Sequence, residues 1–371
     1  MELKIDREVF LSGLALAQNV ADRKATMPIL ANVLLRSDGK ERVLLGATDL
    51  GVTVTAELPA AVDKEGGITI GAKQLHEIVK SLPAGELSLK RGENNYAEIK
   101  SGRVEYRMVG MADRDFPKLP NHREVKFSKV DAGAFRDLIA KTFFSISSDE
   151  TRYHLNGVLF ECDGKRARMV STDGHRLSKC ERNFAGGPEL GQGVIIPRKG
   201  LAELRRALEN TTGEFELGLR ENHIFVRTGK IAICVKLVEA QFPPYQQVIP
   251  KDHDKIVKLS RSQLYDALRR VSIMSSDKTW GVKFSIEKGL LRVTSDNPDL
   301  GEGREELEAD YDGAALSVGF NARYFIDILG EIEAPRVQLE LAGELDPGVV
   351  RPVSQRDDGA DYLGVVMPMR I

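Results

Sequence analysis

The chain repeats one pattern of hydrophobic and polar residues three times. Apolar side chains at three- and four-residue spacing predict an amphipathic helix, and such stretches begin at Phe10, Phe135 and Leu264, which are 125 and 129 positions apart. A second amphipathic helix is predicted further along each copy. Its apolar residues are Leu75, Ile78, Val79 and Leu82; then Leu201, Leu204 and Leu208; then Phe325, Ile328, Leu329 and Ile332.

Other landmarks keep the same order and nearly the same offset. Strand-like runs begin at Ile29, His154 and Trp280, each after the first helix of its copy. The next strand of each copy is predicted to end in a corner, where an aspartate accepts hydrogen bonds from backbone N–H groups. The corner aspartates are Asp49, Asp173 and Asp296, and the prolines that close the copies are Pro117, Pro243 and Pro368.

These landmarks predict three α+β domains of one design, each with two helices packed on antiparallel sheets. We place the domains at 1–122, 127–252 and 253–371, joined by the polar stretches 121–126 and 250–255. Two helices cover only one face of a sheet, and strands at the domain ends leave exposed edges. A head-to-tail contact with a second molecule of the same protein would cover those edges and can close into a ring.

Composition narrows the class of protein. Hydrophobic residues make up 42% of the chain and charged residues 29%, which is typical of a globular protein. No apolar stretch approaches the roughly 20 residues that span a bilayer, and the charged N-terminus lacks a signal-peptide core, so we expect a cytoplasmic protein. The net charge is −2, so nucleic-acid binding would require basic residues gathered on one surface.

Several motifs together resemble one known family. Val365-Val366-Met367-Pro368-Met369-Arg370-Ile371 and Ser171-Thr172-Asp173-Gly174-His175-Arg176-Leu177 are similar to two signatures of the bacterial DNA polymerase III beta subunit, the sliding clamp family. Further matches span all three copies in order. They are Met27-Pro28-Ile29-Leu30, Tyr153-His154-Leu155-Asn156-Gly157, Pro197-Arg198-Lys199-Gly200, Phe242-Pro243-Pro244-Tyr245 and Gly319-Phe320-Asn321.

The resemblance implies a head-to-tail homodimer that forms a six-domain ring around duplex DNA, with helices lining the hole. The implied partners are double-stranded DNA bound without regard to sequence, a second copy of the chain, the DNA polymerase III alpha subunit, the clamp loader, and other polymerases and repair proteins with short clamp-binding motifs. It implies no catalysis, cofactor, metal or membrane. The chain departs from the family pattern at Ile371, at Gly364 and in the loop 344–347, which puts peptide preference in doubt.

The resemblance also implies a hydrophobic peptide-binding cleft between the second and third domains. Methionine suits such a cleft because its flexible side chain repacks around different peptides. The alternative is that Met367, Pro368 and Met369 are ordinary core closing the last sheet. The cleft residues are Leu155, Thr172, Gly174, His175, Arg176, Leu177, Pro243, Val248, Asn321, Tyr324, Leu345, Pro347, Val365, Met367, Pro368, Met369 and Arg370.

Basic residues on or beside the predicted helices are candidates to face DNA. A protein that slides needs weak contacts to phosphates and no base readout. The alternative for any one helix is an ordinary solvated face. The candidates are Lys24, Arg152, Arg198, Lys199 and Arg205, with Tyr153 and His154 added by resemblance.

Two strands are candidates for the contact between two molecules of the protein. In 102–108, Arg103, Glu105 and Arg107 are expected on one strand face and Tyr106 and Met108 on the other. This basic edge would meet an acidic edge strand in the third copy, and solvated edges are the alternative. The interface residues are Arg103, Tyr106, Arg107, Met108, Ile273, Met274, Glu305 and Glu306.

Two rival functions remain open. A clamp-fold paralogue could act as a scaffold or a drug-resistance copy, and a three-domain hydrolase could use His175 and Asp173 with the Ser171 hydroxyl. The chain has no GxxxxGK[ST] phosphate-binding loop, and its six histidines show no metal-ligand spacing. Its three cysteines, Cys162, Cys180 and Cys234, form no CxxC pair and are expected to be reduced, in strands or at strand ends.

Overall fold

The computed structural model describes residues 1–21, 26–122, 124–184, 186–251, 253–276, 279–353 and 361–371. These residues form six α-helices and twenty-five strands. They fold as two compact units: Met1–Ala132 with Lys199–Leu237, and Gly133–Arg198 with Val238–Ile371.

Each third of the chain carries two helices among its strands. The first third contains β1 (Glu2–Asp6), α1 (Arg7–Val20), β2 (Asn32–Ser37), β3 (Arg42–Thr48), β4 (Val52–Pro59), β5 (Ala61–Lys64), β6 (Gly67–Gly71), α2 (Ala72–Ser81), β7 (Glu86–Arg91), β8 (Tyr96–Ser101) and β9 (Val104–Met111). The second contains β10 (Phe127–Asp131), α3 (Ala132–Phe143), β11 (Gly157–Cys162), β12 (Arg166–Thr172), β13 (Arg176–Asn183), β14 (Val194–Pro197), α4 (Arg198–Leu208), β15 (Glu214–Arg220), β16 (His223–Thr228) and β17 (Ile231–Lys236). The last contains β18 (Lys255–Ser260), α5 (Arg261–Val271), β19 (Gly281–Glu287), β20 (Leu290–Asn297), β21 (Gly301–Glu308), β22 (Leu316–Asn321), α6 (Ala322–Gly330), β23 (Arg336–Leu341), β24 (Gly348–Pro352) and β25 (Asp361–Val366).

The helices form where the apolar spacing predicts them. In α1, the side chain of Asp6 caps the helix by accepting from the N–H of Glu8 and of Val9, at 2.9 and 3.2 Å. The predicted stripe of α1 is buried against strands β3 and β4. Leu82 and Ile332, predicted inside the second helices, lie just after the ends of α2 and α6 and are buried there.

The first unit is built on a thirteen-stranded sheet in the order β10-β15-β16-β17-β4-β3-β2-β6-β9-β8-β7-β1-β5. Strand β17 of the middle copy pairs antiparallel with β4 of the first, from Ile231 opposite Ala56 to Val235 opposite Val52. Strand β9 pairs along most of its length with β8 but with β6 only at Gly110 and Met111. Within the described residues, 104–109 is therefore an open strand edge.

The second unit holds an eight-stranded sheet, β14-β11-β12-β13-β25-β24-β23-β18, and a four-stranded sheet, β21-β20-β19-β22. Strand β13 of the middle copy pairs antiparallel with β25 of the last, from Arg176 opposite Val366 to Glu181 opposite Asp361. Gly364 lies in this closing strand because a Cβ there would come within 2.5 Å of the Ile328 side chain in α6. The middle copy therefore contributes strands to both compact units.

Two of the three corner aspartates act as predicted. Asp49 accepts from the N–H of Gly51 and Val52, and Asp173 does the same for His175 and Arg176. The prediction was wrong for Asp296, which lies inside β20 and pairs with Glu302, because that strand runs on to Asn297. The turn comes next, and there the Asn297 side chain accepts from the N–H of Asp299 at 3.0 Å.

Other local predictions shift by a few residues. Pro28–Ala31 and Tyr153–Leu155 form 3-10 turns, so the strands that were expected from Ile29 and His154 begin later. Arg103 lies in the two-residue turn between β8 and β9 and so is not on a strand face with Glu105. The turn needs Gly102, whose φ is +58°.

The cysteines lie in strands β11, β13 and β17, as predicted, and all three are buried and free. Burial raises the pKa of the Cys180 and Cys234 thiols to about 12, and it also raises the pKa of Cys162. In the described ranges, no three His, Cys, Asp or Glu side chains are grouped to hold a metal ion. Nor is any helix in those ranges both long enough and apolar enough to cross a membrane.

Candidate functional site

An apolar cluster lies on one face of the eight-stranded sheet and brings together cleft residues that are far apart in sequence. Leu177 of β13 pairs with Val365 of β25, which pairs in turn with Val349 of β24. Leu155 joins them from the 3-10 turn before β11. We call this set the floor cluster; its buried members are Leu155, Leu159, Val170, Leu177, Ile195, Phe242, Tyr245, Val349, Leu363 and Val365.

The segment after β25 is tied to the end of β13 and to β22. The N–H of Met367 donates to the carbonyl of His175 at 2.9 Å, and the N–H of Met369 donates to the carbonyl of Gly319 at 2.8 Å. A Cβ at Gly319 would lie 2.4 Å from the Met369 carbonyl oxygen, so this close approach requires glycine. Met367 remains 38% exposed, although its backbone is held at both neighbouring points.

The corner between β12 and β13 presents His175 to solvent. The Thr172 hydroxyl donates to the carbonyl of Arg176 at 2.6 Å and accepts from the N–H of Gly174 at 3.1 Å. Gly174 has a φ of +92°, which favours glycine. Thr172 and Gly174 therefore shape the turn, and His175 is exposed at its tip.

Arg176 is fixed more firmly than the sequence suggested. Its side chain is 10% exposed. Its Nε donates to Asp173 Oδ2 at 3.0 Å, its Nη1 to Asp327 Oδ2 at 2.5 Å, and its Nη2 to the Phe144 carbonyl at 2.6 Å. The guanidinium also lies 4.7 Å from the centroid of the Tyr324 ring. Arg176, predicted as a cleft residue, thus links β13 to α6 and to the end of α3.

Three other polar residues predicted for the cleft differ in how they are held. Asn321 caps α6 by accepting from the N–H of Arg323 at 2.9 Å. Tyr324 is half-buried, and burial raises the pKa of its hydroxyl. Arg370 is exposed.

Two further large apolar residues predicted for the cleft stay exposed. Leu345 is 70% exposed on the loop between β23 and β24, and Val248 is exposed in the segment that follows Tyr245. Pro243, Pro347, Pro368 and Met369 are half-buried. A contiguous patch of exposed apolar side chains, unlike a single exposed residue, is a feature of surfaces that bind other proteins.

Sequence reasoning missed part of the floor cluster. Phe242, Tyr245, Val349 and Leu363 are buried in it but were not among the cleft residues. Strand alternation carries a signal for one of them, because Leu363 lies two residues before Val365 and so faces the same side of β25. Tyr245 also has a polar role: its hydroxyl donates to Glu161 and accepts from Arg168, at 2.9 and 3.0 Å.

The corner is not arranged as a catalytic triad. The Ser171 hydroxyl is buried and donates to the Thr142 carbonyl at 2.5 Å, so it is not presented as a nucleophile. Asp173 is occupied by two backbone N–H groups and by Arg176. A triad requires the carboxylate to orient the imidazole and the imidazole to contact the hydroxyl. Among the residues described, neither contact is made with His175.

The candidate DNA-facing residues fall into two groups. Arg152 pairs with Asp149 at 3.0 Å, and Lys199 pairs with Asp49. Arg198 and Arg205 are exposed and make no ion pair with any described carboxylate. Arg198 donates to the Ile146 carbonyl at 3.3 Å and lies over the Phe143 ring.

Arg198 and Arg205 lie seven residues apart on α4, and hence on one side of that helix. Tyr153 is exposed, with its ring 5.8 Å from that of His154 in an edge-to-face contact. Lys24 lies outside the described residues.

The two candidate edge strands differ in charge compensation. On β9, Tyr106 is exposed and Arg107 lies 4.1 Å over the Tyr96 ring. The acidic strand β21 is an edge of its sheet, as expected. Its Glu305 is already held by Arg270, at 2.6 Å, and the pair lowers the pKa of Glu305.

Glu306 of β21 is likewise held, by Arg292 at 2.9 Å and by Arg304. Its pKa is lowered, chiefly by the hydrogen bond from Arg304. Ile273 is 71% exposed in the turn after α5, and Met274 packs beside Gly303. The charges of Glu305 and Glu306 are therefore already compensated within their own chain.

Comparison with known proteins identifies the family. Models of the N-terminal, central and C-terminal domains of the DNA polymerase III beta subunit match residues 1–120, 129–244 and 246–370. The chain belongs to the DNA polymerase III beta subunit family. Among its relatives are beta sliding clamps of Pseudomonas aeruginosa, 36% identical over 372 residues, and of Escherichia coli, 32% identical over 374, each aligned over 100% of both chains.

Solved structures of the family have the same fold. The sliding clamp of Pseudomonas aeruginosa, solved with a ligand, superimposes with a TM-score of 0.93 at 34% identity, and each chain covers 100% of the other. The clamp of Bartonella birtlesii, solved bound to griselimycin, gives a TM-score of 0.93 at 35% identity and the same coverage. The family likeness thus confirms the three-domain clamp fold and favours a sliding clamp over a hydrolase.

Proposed function

We propose that this chain is a replication processivity factor without catalysis, which acts in the cytoplasm by encircling duplex DNA and tethering DNA polymerase III. The observation that carries the proposal is the likeness to beta sliding clamps over the whole of both chains. The domains at 1–122, 127–252 and 253–371 would form half of a six-domain ring. Tethering raises the effective concentration of a polymerase at the primer end.

Closure of the ring would use the two strand edges. The open edge 104–109 of β9 in one copy would pair with β21 of a second copy, head to tail. The apolar contact of Tyr106 and Met108 with Ile273 and Met274 would supply most of the affinity. Because Glu305 and Glu306 already have partners in their own chain, their charges would fix register more than they add binding energy.

This interface has a direct test. The double variant Tyr106→Ala/Met108→Ala should give a folded monomer in gel filtration with light scattering. The control Leu50→Ala, which changes an exposed residue in the turn between β3 and β4, should stay dimeric. A double variant that still elutes as a dimer would place the interface elsewhere.

The cleft would receive short motifs from the DNA polymerase III alpha subunit, the clamp loader, other polymerases and repair proteins. The floor cluster offers an apolar base, and the exposed side chains of Val248, Leu345 and Met367 offer walls. The flexible side chain of Met367 suits a surface that serves several partners. A short motif loses conformational entropy when it docks, so micromolar dissociation constants, about −8 kcal/mol, are expected.

Contact with DNA would be weak and blind to sequence. Arg198 and Arg205 are the candidates best suited to phosphates, because no described carboxylate neutralises them. Arg152 and Lys199 would have to leave their aspartates first.

Topological binding separates a clamp from an ordinary DNA-binding protein. The protein would be loaded on a nicked circular plasmid by the clamp loader of the same organism with ATP, and its retention measured by gel filtration. We expect retention on the circle and loss after the plasmid is linearised. Equal retention on both forms would contradict encirclement.

A further inference from the structure

One buried histidine joins the linker before β18 to the loop that carries Leu345. The side chain of His253 is 4% exposed. Its Nε2 lies 3.2 Å from the carbonyl oxygen of Pro347, and its Nδ1 lies 3.6 Å from Glu340 Oε2. Because a carbonyl oxygen only accepts hydrogen bonds, Nε2 must be the donor in the first contact.

The carboxylate that faces the other side of the ring is itself fixed. Glu340 lies on β23, where its Oε1 accepts from Gln338 Nε2 at 2.6 Å and from Arg351 Nε at 3.0 Å. Its Oε2 is therefore held towards His253. The imidazole is confined between a rigid carboxylate on β23 and the carbonyl that ends the following loop.

That loop, residues 342–347, is closed on itself at its tip. The Asp346 side chain accepts from the N–H of Gly343 at 2.9 Å, and the N–H of Asp346 donates to the Gly343 carbonyl at 3.3 Å. These bonds fix the shape of the tip around Leu345, and the antiparallel pairing of β23 with β24 anchors the two ends of the loop. The hydrogen bond from His253 is a further tie, because it holds the Pro347 carbonyl at the end of the loop.

We propose that His253 is a positioning residue of the peptide cleft, which holds the loop 342–347 so that Leu345 forms one wall. The inference rests on the proposed function, because it assumes that Leu345 contacts bound peptides. His253 itself does not touch the peptide. Its effect on binding passes through Leu345.

The test compares variants of His253 by calorimetric titration with griselimycin and with the purified DNA polymerase III alpha subunit. His253→Phe fills the space of the ring without a donor, and we expect about fivefold weaker binding of the alpha subunit, the usual effect of one lost hydrogen bond. His253→Gln retains an N–H donor at a similar distance and should stay within about twofold of the parent. Asp254→Ala, a change of the exposed neighbouring residue, is the matched control and should have no effect.

A double-mutant cycle separates positioning from a general loss of stability. In a Leu345→Ala background, His253→Phe should cost less than about twofold, because the wall that it positions is gone. The same fivefold loss in both backgrounds would overturn the inference. So would equal binding by His253→Phe and the parent protein, since the donor would then be unnecessary.

The outcomes also distinguish this inference from the proposed function. If the parent protein binds neither griselimycin nor the alpha subunit, the cleft itself is misplaced. If the parent binds and Leu345→Ala weakens binding, but His253→Phe does not, only the role of His253 fails. Should His253→Phe not fold, His253→Leu takes its place in the same titrations and in the same double-mutant cycle, where binding equal to that of the parent would again count against positioning.

Discussion

Arg176, in the candidate cleft, and Arg205, on the candidate DNA-facing side of α4, are held in opposite ways. All three guanidinium nitrogens of Arg176 have partners, among them Asp327 on α6, in the third repeat of the same chain. Arg205 is exposed, without an ion pair among the described carboxylates. A cleft that recognises side chains needs a fixed framework beneath its adaptable side chains, whereas a surface that slides along phosphates needs charge without fixed geometry. The four predictions that follow test this difference.

The largest effect is expected from Arg176→Ala. It leaves Asp327 and the Phe144 carbonyl without their donor in a half-buried place and should lower the free energy of unfolding by about 3 kcal/mol. Urea unfolding at fixed protein concentration measures this. Arg205→Ala is the control and should stay within about 0.5 kcal/mol of the parent. Similar losses for both variants would remove the contrast between the two surfaces.

Met367→Ala should separate binding from stability. Met367 is 38% exposed, so its truncation should lower the free energy of unfolding only slightly. It should weaken binding of the DNA polymerase III alpha subunit by about tenfold, or about 1.4 kcal/mol. Surface plasmon resonance gives the affinity and thermal melting the stability. Leu300→Ala is the control for loss of an exposed apolar side chain. If Met367→Ala binds normally, Met367 belongs only to the closing core.

The double variant Arg198→Ala/Arg205→Ala should change the salt dependence of DNA binding. Each phosphate contact contributes about 0.9 to the slope of log K against log salt, so the slope should fall in magnitude by at least about one. The measurement uses duplex DNA with blocked ends. Arg206→Ala is matched to it because Glu203 already neutralises that residue, at 2.6 Å. A slope that is lowered equally by both would argue against the assignment.

The smallest effect is expected for the reactivity of the buried thiols of Cys180 in β13 and Cys234 in β17. Burial raises the pKa of Cys180 and Cys234 to about 12, so both stay protonated between about pH 7 and 9, where an unfolded cysteine begins to ionise. A disulfide reagent should therefore label the native chain slowly throughout this range and the urea-unfolded chain rapidly. Fast native labelling of Cys180 at pH 9 would mean that β13 opens readily, which would weaken the case for a rigid cleft.

Much of the fold could be predicted from apolar spacing. The stripes of α1 and α5 are buried as predicted, because a helix can bury only residues that recur at its own period. Asp296 was predicted incorrectly because a repeat of sequence does not ensure an equal strand length, and β20 continues past it. The turn position of Arg103 depends on the left-handed backbone of Gly102, which the alternating pattern does not report.

Less of the candidate site could be predicted. The family resemblance named Leu155, Leu177 and Val365, which the fold brings together in the floor cluster. Two hydrogen bonds within the chain depend on how distant segments pack. They run from Arg176 to Asp327 and from His253 to Pro347. Strand alternation specifies only which side of a sheet a residue faces, and not which loop it meets. The roles of the individual site residues therefore remain predictions.

The pairing of β13 with β25 has a consequence for shortened forms of the protein. A nonsense codon shortly before Asp361 would remove a strand that bonds along the edge of β13, together with Leu363 and Val365 of the floor cluster. The remaining chain would present the unpaired edges of β13 and β24, and an unpaired strand edge is a template for association with other newly made chains. Loss of residues 361–371 is thus expected to disrupt folding far more than the removal of so short a segment would suggest.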